Sequence, residues 1–245
     1  MKKSFVLNTK SIVDSTKKDM EEVFIDINGK CSPTATGQIT TVSFDLDLGG
    51  TVFAIVEYIY PVLAKGLNVA ICIPKAYEFY VINQIATRYY VEKSGLPLSS
   101  LYAPLACASG DDSPIIEARE HVLHSGEFGT IYFSNNNLVE DIFKQFEADA
   151  SYDIRLYVVM NQQDLNPDMD DERDVVRDCE AYAVSLLANH SANIIFIHSG
   201  LGRCLEERLM SSDLNIALSS DALDGYNHIQ VTYDSNYFCY KKEGM

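Results

Sequence analysis

Three short stretches hold the residue types that could do chemistry. In "SFDLDLGGTVFAI", residues 43–55, a strand ends in a glycine pair and turns straight into an apolar helix. That layout gathers free backbone N–H groups at the positive end of a helix dipole, where many enzymes hold a nucleophile. The position for the reactive side chain is Gly50, which has none. In "ANIIFIHSGLGRCLEERL", His198 stands at the carboxyl end of a strand, and in "DGYNHIQV" Asn227 precedes the last apolar segment. Each has a structural explanation when taken alone. Glycine adopts positive φ in turns, histidine is often half-buried, and asparagine is ordinary turn chemistry.

The elements that must position these groups alternate between strand-like and helix-like patterns. "EEVFIDI" and "TTVSFDL" read as strands, and "TVFAIVEYIYPVLAKG" reads as a helix apolar on all sides, with Pro61 predicting a kink. "NVAICIP" is a continuous apolar run of the kind found in central strands. "AYEFYVINQIATRYYVEKSG" predicts a helix closed by Gly95, "LYAPLACASG" a strand entering an acidic loop, "TIYFS" a strand and "NNLVEDIFKQFEAD" a helix. The second half repeats the rhythm with the strand "DIRLYVVM" and a helix that sets Val175, Val176, Cys179, Tyr182, Ala183, Leu186 and Leu187 on one stripe. The strand "ANIIFIHSG" and the helix "LGRCLEERLMSS" follow, then "HIQVTYDSNYFCYK", which reads as a hairpin turning at Asp234 and Ser235. No linker separates the halves. The pattern predicts one α/β domain over residues 1–245, with halves near 1–150 and 151–245.

Bulk composition narrows the partners. Nineteen basic residues against thirty-five acidic ones give a net charge of −16. Phosphate binding leans on lysine and arginine, so nucleic acid and anionic membranes are disfavoured, and an acidic carrier protein would be repelled. No apolar run approaches membrane-spanning length, and the N-terminus does not read as a signal peptide, so the cytoplasm is the default location. The six cysteines show no CxxC pair and no Cys–His spacing, which disfavours a metal site and a disulfide framework.

Order and spacing link the three stretches. "SPTATGQ…SFDLDLGGTVF", "FIHSGLGRCLEERL" and "GYN" together resemble the ketosynthase III branch of the thiolase-fold condensing enzymes. The resemblance implies a layered αβαβα fold built from two pseudo-repeated halves, with the N-terminal half shortened. It places the family's acyl-accepting cysteine at Gly50 and leaves His198 and Asn227 as a residual His/Asn pair. The amides of Gly49 and Gly50 would form the oxyanion site. A short member without the thiol is similar to the non-catalytic subunit of heterodimeric ketosynthases such as the quinolone-pathway pair. The implied role is a pseudoenzyme in an acyltransferase complex, making a fatty-acid- or polyketide-like metabolite. It would pair with a cysteine-bearing ketosynthase subunit as a heterodimer or heterotetramer, meet acyl thioester through that partner, and need no cofactor or metal.

Two other readings stand beside it. His198 and Asn227 could process a thioester without a covalent intermediate, making the chain an enzyme in its own right. "IYPVLAKGLNVAICIPK…KSGLP…TIYFSNN" resembles the cofactor half of aldehyde dehydrogenases, with Asn135 where that family has glycine and no catalytic cysteine following. No G-x-G-x-x-G follows a predicted strand, and the acidic loops "GDDSP" and "DMDDERD" read as solvated faces.

Overall fold

A computed structural model describes residues 3–8, 37, 39–44, 51, 54–96, 113–160, 165–166, 172–199, 214–220 and 228–235. The central apolar runs form strands because helices cover both of their faces, which leaves no polar side to alternate with. In β3 (Asn68–Cys72), Val69, Ala70 and Ile71 are fully buried. Residues Ile154–Val159 form β5 and Asn193–Ser199 form β6, and both are apolar on each side. They join β1 (Lys3–Asn8), β2 (Ile39–Phe44), β4 (Ile131–Ser134), β7 (Leu214–Ser220) and β8 (His228–Ser235) in one sheet. Its order is β1-β8-β7-β2-β6-β5-β3-β4.

From β7 to β4 every neighbouring pair is parallel, while β8 runs antiparallel to both β7 and β1. Strands from the two halves of the chain therefore interleave. The fold is α/β with a parallel central sheet, and the expected thiolase-like αβαβα arrangement of two pseudo-repeated halves is corrected by that order. Parallel pairing between segments far apart in sequence, such as β2 with β6, leaves no trace in local periodicity.

The helices divide between two faces. A π-helical turn (Ile55–Ile59) runs into α1 (Tyr60–Leu63), and with α2 (Glu78–Ser94) and α3 (Ser113–His124) it covers one face. Ile55, Ile59, Val62, Val81, Ile85 and Val122 pack there against Val42, Ile71, Val158 and Ile197. On the other face α4 (Val139–Asp149) and α5 (Glu172–Asn189) set Ile142, Phe146, Cys179 and Leu186 against Tyr157, Ile194 and Phe196. Each such aliphatic side chain contributes about 1.5–3 kcal/mol by leaving water. The α5 stripe forms as its spacing predicts, except that Tyr182 is 39% exposed and stacks on Phe143 from outside.

Proline and glycine shape the connections. Pro61 offers no N–H, and the turn before it widens so that the Tyr60 amide donates to the Ile55 carbonyl. Gly95 caps α2 in the left-handed region at φ 68°, as expected from sequence. Gly129 donates its amide to the Leu63 carbonyl at 2.8 Å. A Cβ there would stand 2.0 Å from the Leu67 carbonyl oxygen, so only glycine fits.

Two sequence expectations change at the C-terminal end. Asp234 and Ser235 do not turn a hairpin: both lie inside β8, opposite Asn215 and Leu214 of β7. The strands "EEVFIDI" and "LYAPLACASG" and the helix "LGRCLEERLMSS" fall outside the described residues. Gly129→Ala is expected to cost about 2 kcal/mol or more, because backbone must move to admit the methyl. A lowered Tm in thermal unfolding followed by circular dichroism checks it.

Candidate functional site

The turn after β2 sits where this topology makes a crevice. From the carboxyl end of β2 the chain crosses to β3 over the α1 face, whereas from the neighbouring β6 it goes the other way along the sheet, to β7. Ligands of open α/β sheets bind outside the carboxyl ends of strands at such switch points. Thr51, half-buried, is already helical, and Ala54 is fully buried one turn later. The six residues between Phe44 and Thr51, "DLDLGG", thus link a central strand to a helix start.

The sequence-predicted groups distribute around this crevice unequally. Gly49, Gly50 and Asn227 lie outside the described residues. His198 lies in register opposite Ser43 of β2, one residue pair from the end of the strand. It is 4% exposed. Ile195 and Ile197 belong to the α1 side and Ile194 and Phe196 to the α4–α5 side. Strand alternation therefore sends the His198 ring to the α4–α5 side, opposite the helix that follows Gly50. Adjacency of the two backbones is real, but the imidazole faces the other way.

The carboxyl ends of β3, β4 and β5 form a clasp of amides that sequence reasoning did not single out. The Ile73 amide donates to the Ser134 carbonyl at 2.9 Å, and the Met160 amide to the Cys72 carbonyl at 3.0 Å. Asn135 donates through Nδ2 to the Ile73 carbonyl at 2.9 Å and to Glu78 Oε1 at 2.8 Å. Asn166 accepts at Oδ1 from the Val139 amide at 2.9 Å, supplying the start of α4 with a cap from a distant loop. The signal available in sequence was the run "SNNN" directly after a strand. Each bond is used in holding strand ends and helix starts together.

Cys72 sits inside this clasp. Its thiol donates to the Asn136 carbonyl at 3.2 Å. Burial pushes the thiol up to about 12, with neighbouring Ser134 pulling weakly the other way. A thiol so far from ionising is no nucleophile at neutral pH. Among the described residues, no group of three or more His, Cys, Asp or Glu side chains could hold a metal ion. No helix of the described residues is long and apolar enough to cross a membrane.

A strand–turn–helix at this place in the sheet is the setting of the phosphate-binding loop, G-x-x-x-x-G-K-[ST]. Aligned on its last position at Thr51, the chain reads F-D-L-D-L-G-G-T from Phe44. The second glycine and the hydroxyl are present as Gly49 and Thr51. The first glycine is Phe44, and the lysine is Gly50.

Comparison with solved structures shows a likeness of fold. The ATPase domain of a helicase superposes with a TM-score of 0.52 at 13% identity, covering 84% of each chain. The likeness is one of fold, to a RecA-like domain and not to a thiolase-like one. A KaiC-like protein from the hyperthermophilic archaeon Pyrococcus horikoshii OT3 also matches, with a TM-score of 0.47 at 13% identity, covering 76% of this chain and 73% of that one. No family model matches, and neither does any curated protein.

The RecA-like fold overturns the ketosynthase III resemblance, and with it the non-catalytic subunit of an acyltransferase complex and the thioester-processing alternative. It equally removes the aldehyde-dehydrogenase-like reading. The physical reason is that a glycine-bearing strand-to-helix turn presents the same amides to an oxyanion or to a phosphate. The short stretch could not say which scaffold carried it.

Alkaline pH gives a direct check on this buried core. Cys72 is raised from an ordinary value of 9.0, and burial raises Tyr60 and Tyr157 in the same direction. Below about pH 9 these groups are protonated in both folded and unfolded chains. As pH rises further the unfolded chain ionises first, so stability falls between about pH 9 and 12. Urea midpoints measured across that range should decline steadily, and Cys72 should resist alkylation at neutral pH until the protein unfolds.

Proposed function

We propose that this chain is a RecA-like domain that neither grips nor hydrolyses a nucleoside triphosphate. One observation carries the reading: the turn that would cradle phosphate has no cation. No lysine or arginine occurs between Lys30 and Lys65, and Asp45 and Asp47 stand within the turn itself. Backbone amides at a helix start attract an anion with partial charge alone. A triphosphate also relies on the loop lysine, a point charge that reaches its outer phosphates. With glycine in place of that lysine and two aspartates in the turn, the local charge opposes an anion.

A strand two places along the sheet from β2 supports the same reading. Magnesium in phosphate-loop enzymes is held by the loop hydroxyl and by an acid following an apolar strand. Thr51 supplies the hydroxyl. Here the apolar strand β5 runs into buried Met160 and then Asn161, with no carboxylate at either position. Neither half of the metal–phosphate clamp is complete, so the ATPase activity named for the structural neighbour is not expected here.

The purified chain is expected to show no magnesium-dependent ATP turnover, and calorimetry should find no ATP binding tighter than about 1 mM. Turnover that disappears in Thr51→Ala would overturn the proposal. Returning the cation with Gly50→Lys should tighten ATP binding by about tenfold or more, the scale of one charge-assisted hydrogen bond.

A further inference from the structure

The face of α2 and α3 turned away from the sheet carries apolar side chains in water. Phe79 is 60% exposed, Ile116 46% and Leu123 44%. Ile116 and Leu123 are two turns apart on α3 with exposed Glu120 between them, so the three line one face. Arg119 joins that face to Phe79. Its guanidinium carbon lies 5.1 Å from the Phe79 ring centroid, and Nη1 donates to Asn83 Oδ1 at 3.3 Å. The basic group is thereby laid across the two helices and engaged there.

Along α3 the exposed carboxylates point outward, while exposed Lys75 sits one turn before Phe79. Glu117 and Glu120 are exposed along α3, with His124 Nε2 3.5 Å from Glu120. The chain as a whole carries −16. Apolar anchors two turns apart, rimmed by carboxylates, match the geometry by which a second helix lays down an apolar stripe. The rim sets the sign of the partner.

We infer that this face docks an amphipathic helix of another protein, one whose apolar stripe is flanked by lysine or arginine. An anionic lipid surface is repelled by the same carboxylates. The inference stands independently of the phosphate turn, which lies at the end of a different strand.

The test uses the full chain and fluorescein-labelled synthetic helices. One places leucine on a single stripe with lysine beside it, a second replaces lysine with glutamate, and a third scrambles the leucine–lysine order. Anisotropy should show binding of the first and neither of the others. The double variant Ile116→Ser/Leu123→Ser keeps the net charge and should weaken binding by about tenfold or more. Val184→Ser, at a 60% exposed position on α5, should leave it unchanged. Phe79→Ser gives a second reading of the same face, and circular dichroism verifies that each variant is folded. Equal binding of the scrambled peptide, or wild-type affinity in both the double variant and Phe79→Ser, would overturn the inference by showing attraction through charge alone.

Discussion

Parallel pairing of β2 with β6 is the constraint from which the rest of the structure follows. Parallel strands need long connections, and the described connections between strands of this sheet run through helices. Those helices must pass over one face going outward from β2 and over the other coming back, because crossovers are right-handed. Both faces are thus covered, which is why Ile71 and Ile197 on one side and Ala70 and Phe196 on the other can all be apolar. The same routing opens a crevice at the carboxyl end of β2. Core and candidate site are two results of one hydrogen-bonding pattern.

Scaffold and chemistry separate at that crevice. An anion cradle needs oriented amides, which any helix start provides, and a cation, which only side chains provide. On the proposed reading, the sequence of this turn withholds the second. Fold does not imply function, and the composition of a few turn residues decides whether a RecA-like domain handles a triphosphate. The clasp at the ends of β3, β4 and β5 shows the complementary case. Asn135 and Asn166 are polar, clustered and close to a strand end, yet their bonds join elements of the chain itself.

Much of this architecture was readable before any coordinates. A continuous apolar run marked β3 as a central strand, β5 and β6 read as strands, and Gly95 marked the end of α2. What stayed hidden was order in space. Nothing in "TTVSFDL" says that its neighbour is "ANIIFIHS", because the ladder bonds are backbone bonds and carry no side-chain signature. β7, with the modest sequence "LNIALSS", was passed over, and without it the stretch after His228 had no visible partner and was read as folding on itself. His198 was seen as a strand-end residue, but which face it took depended on the alternation of a sheet not yet assembled. The turn at Gly49 and Gly50 was read as a place for chemistry. The scaffold beneath it was misassigned because oxyanions and phosphates ask the same thing of a helix start.

The widened turn at Ile55–Ile59 has a mechanical side. It holds one more residue than an α-helical turn would, between a helix start near the crevice and the buried Val62 and Leu63 that anchor it. Angular phase along a helix advances about 100° per residue. Winding the same residues at regular α pitch, with none removed, would turn Thr51 by roughly a quarter of a revolution away from the end of β2. The aim of the crevice is therefore set by winding as much as by side-chain identity.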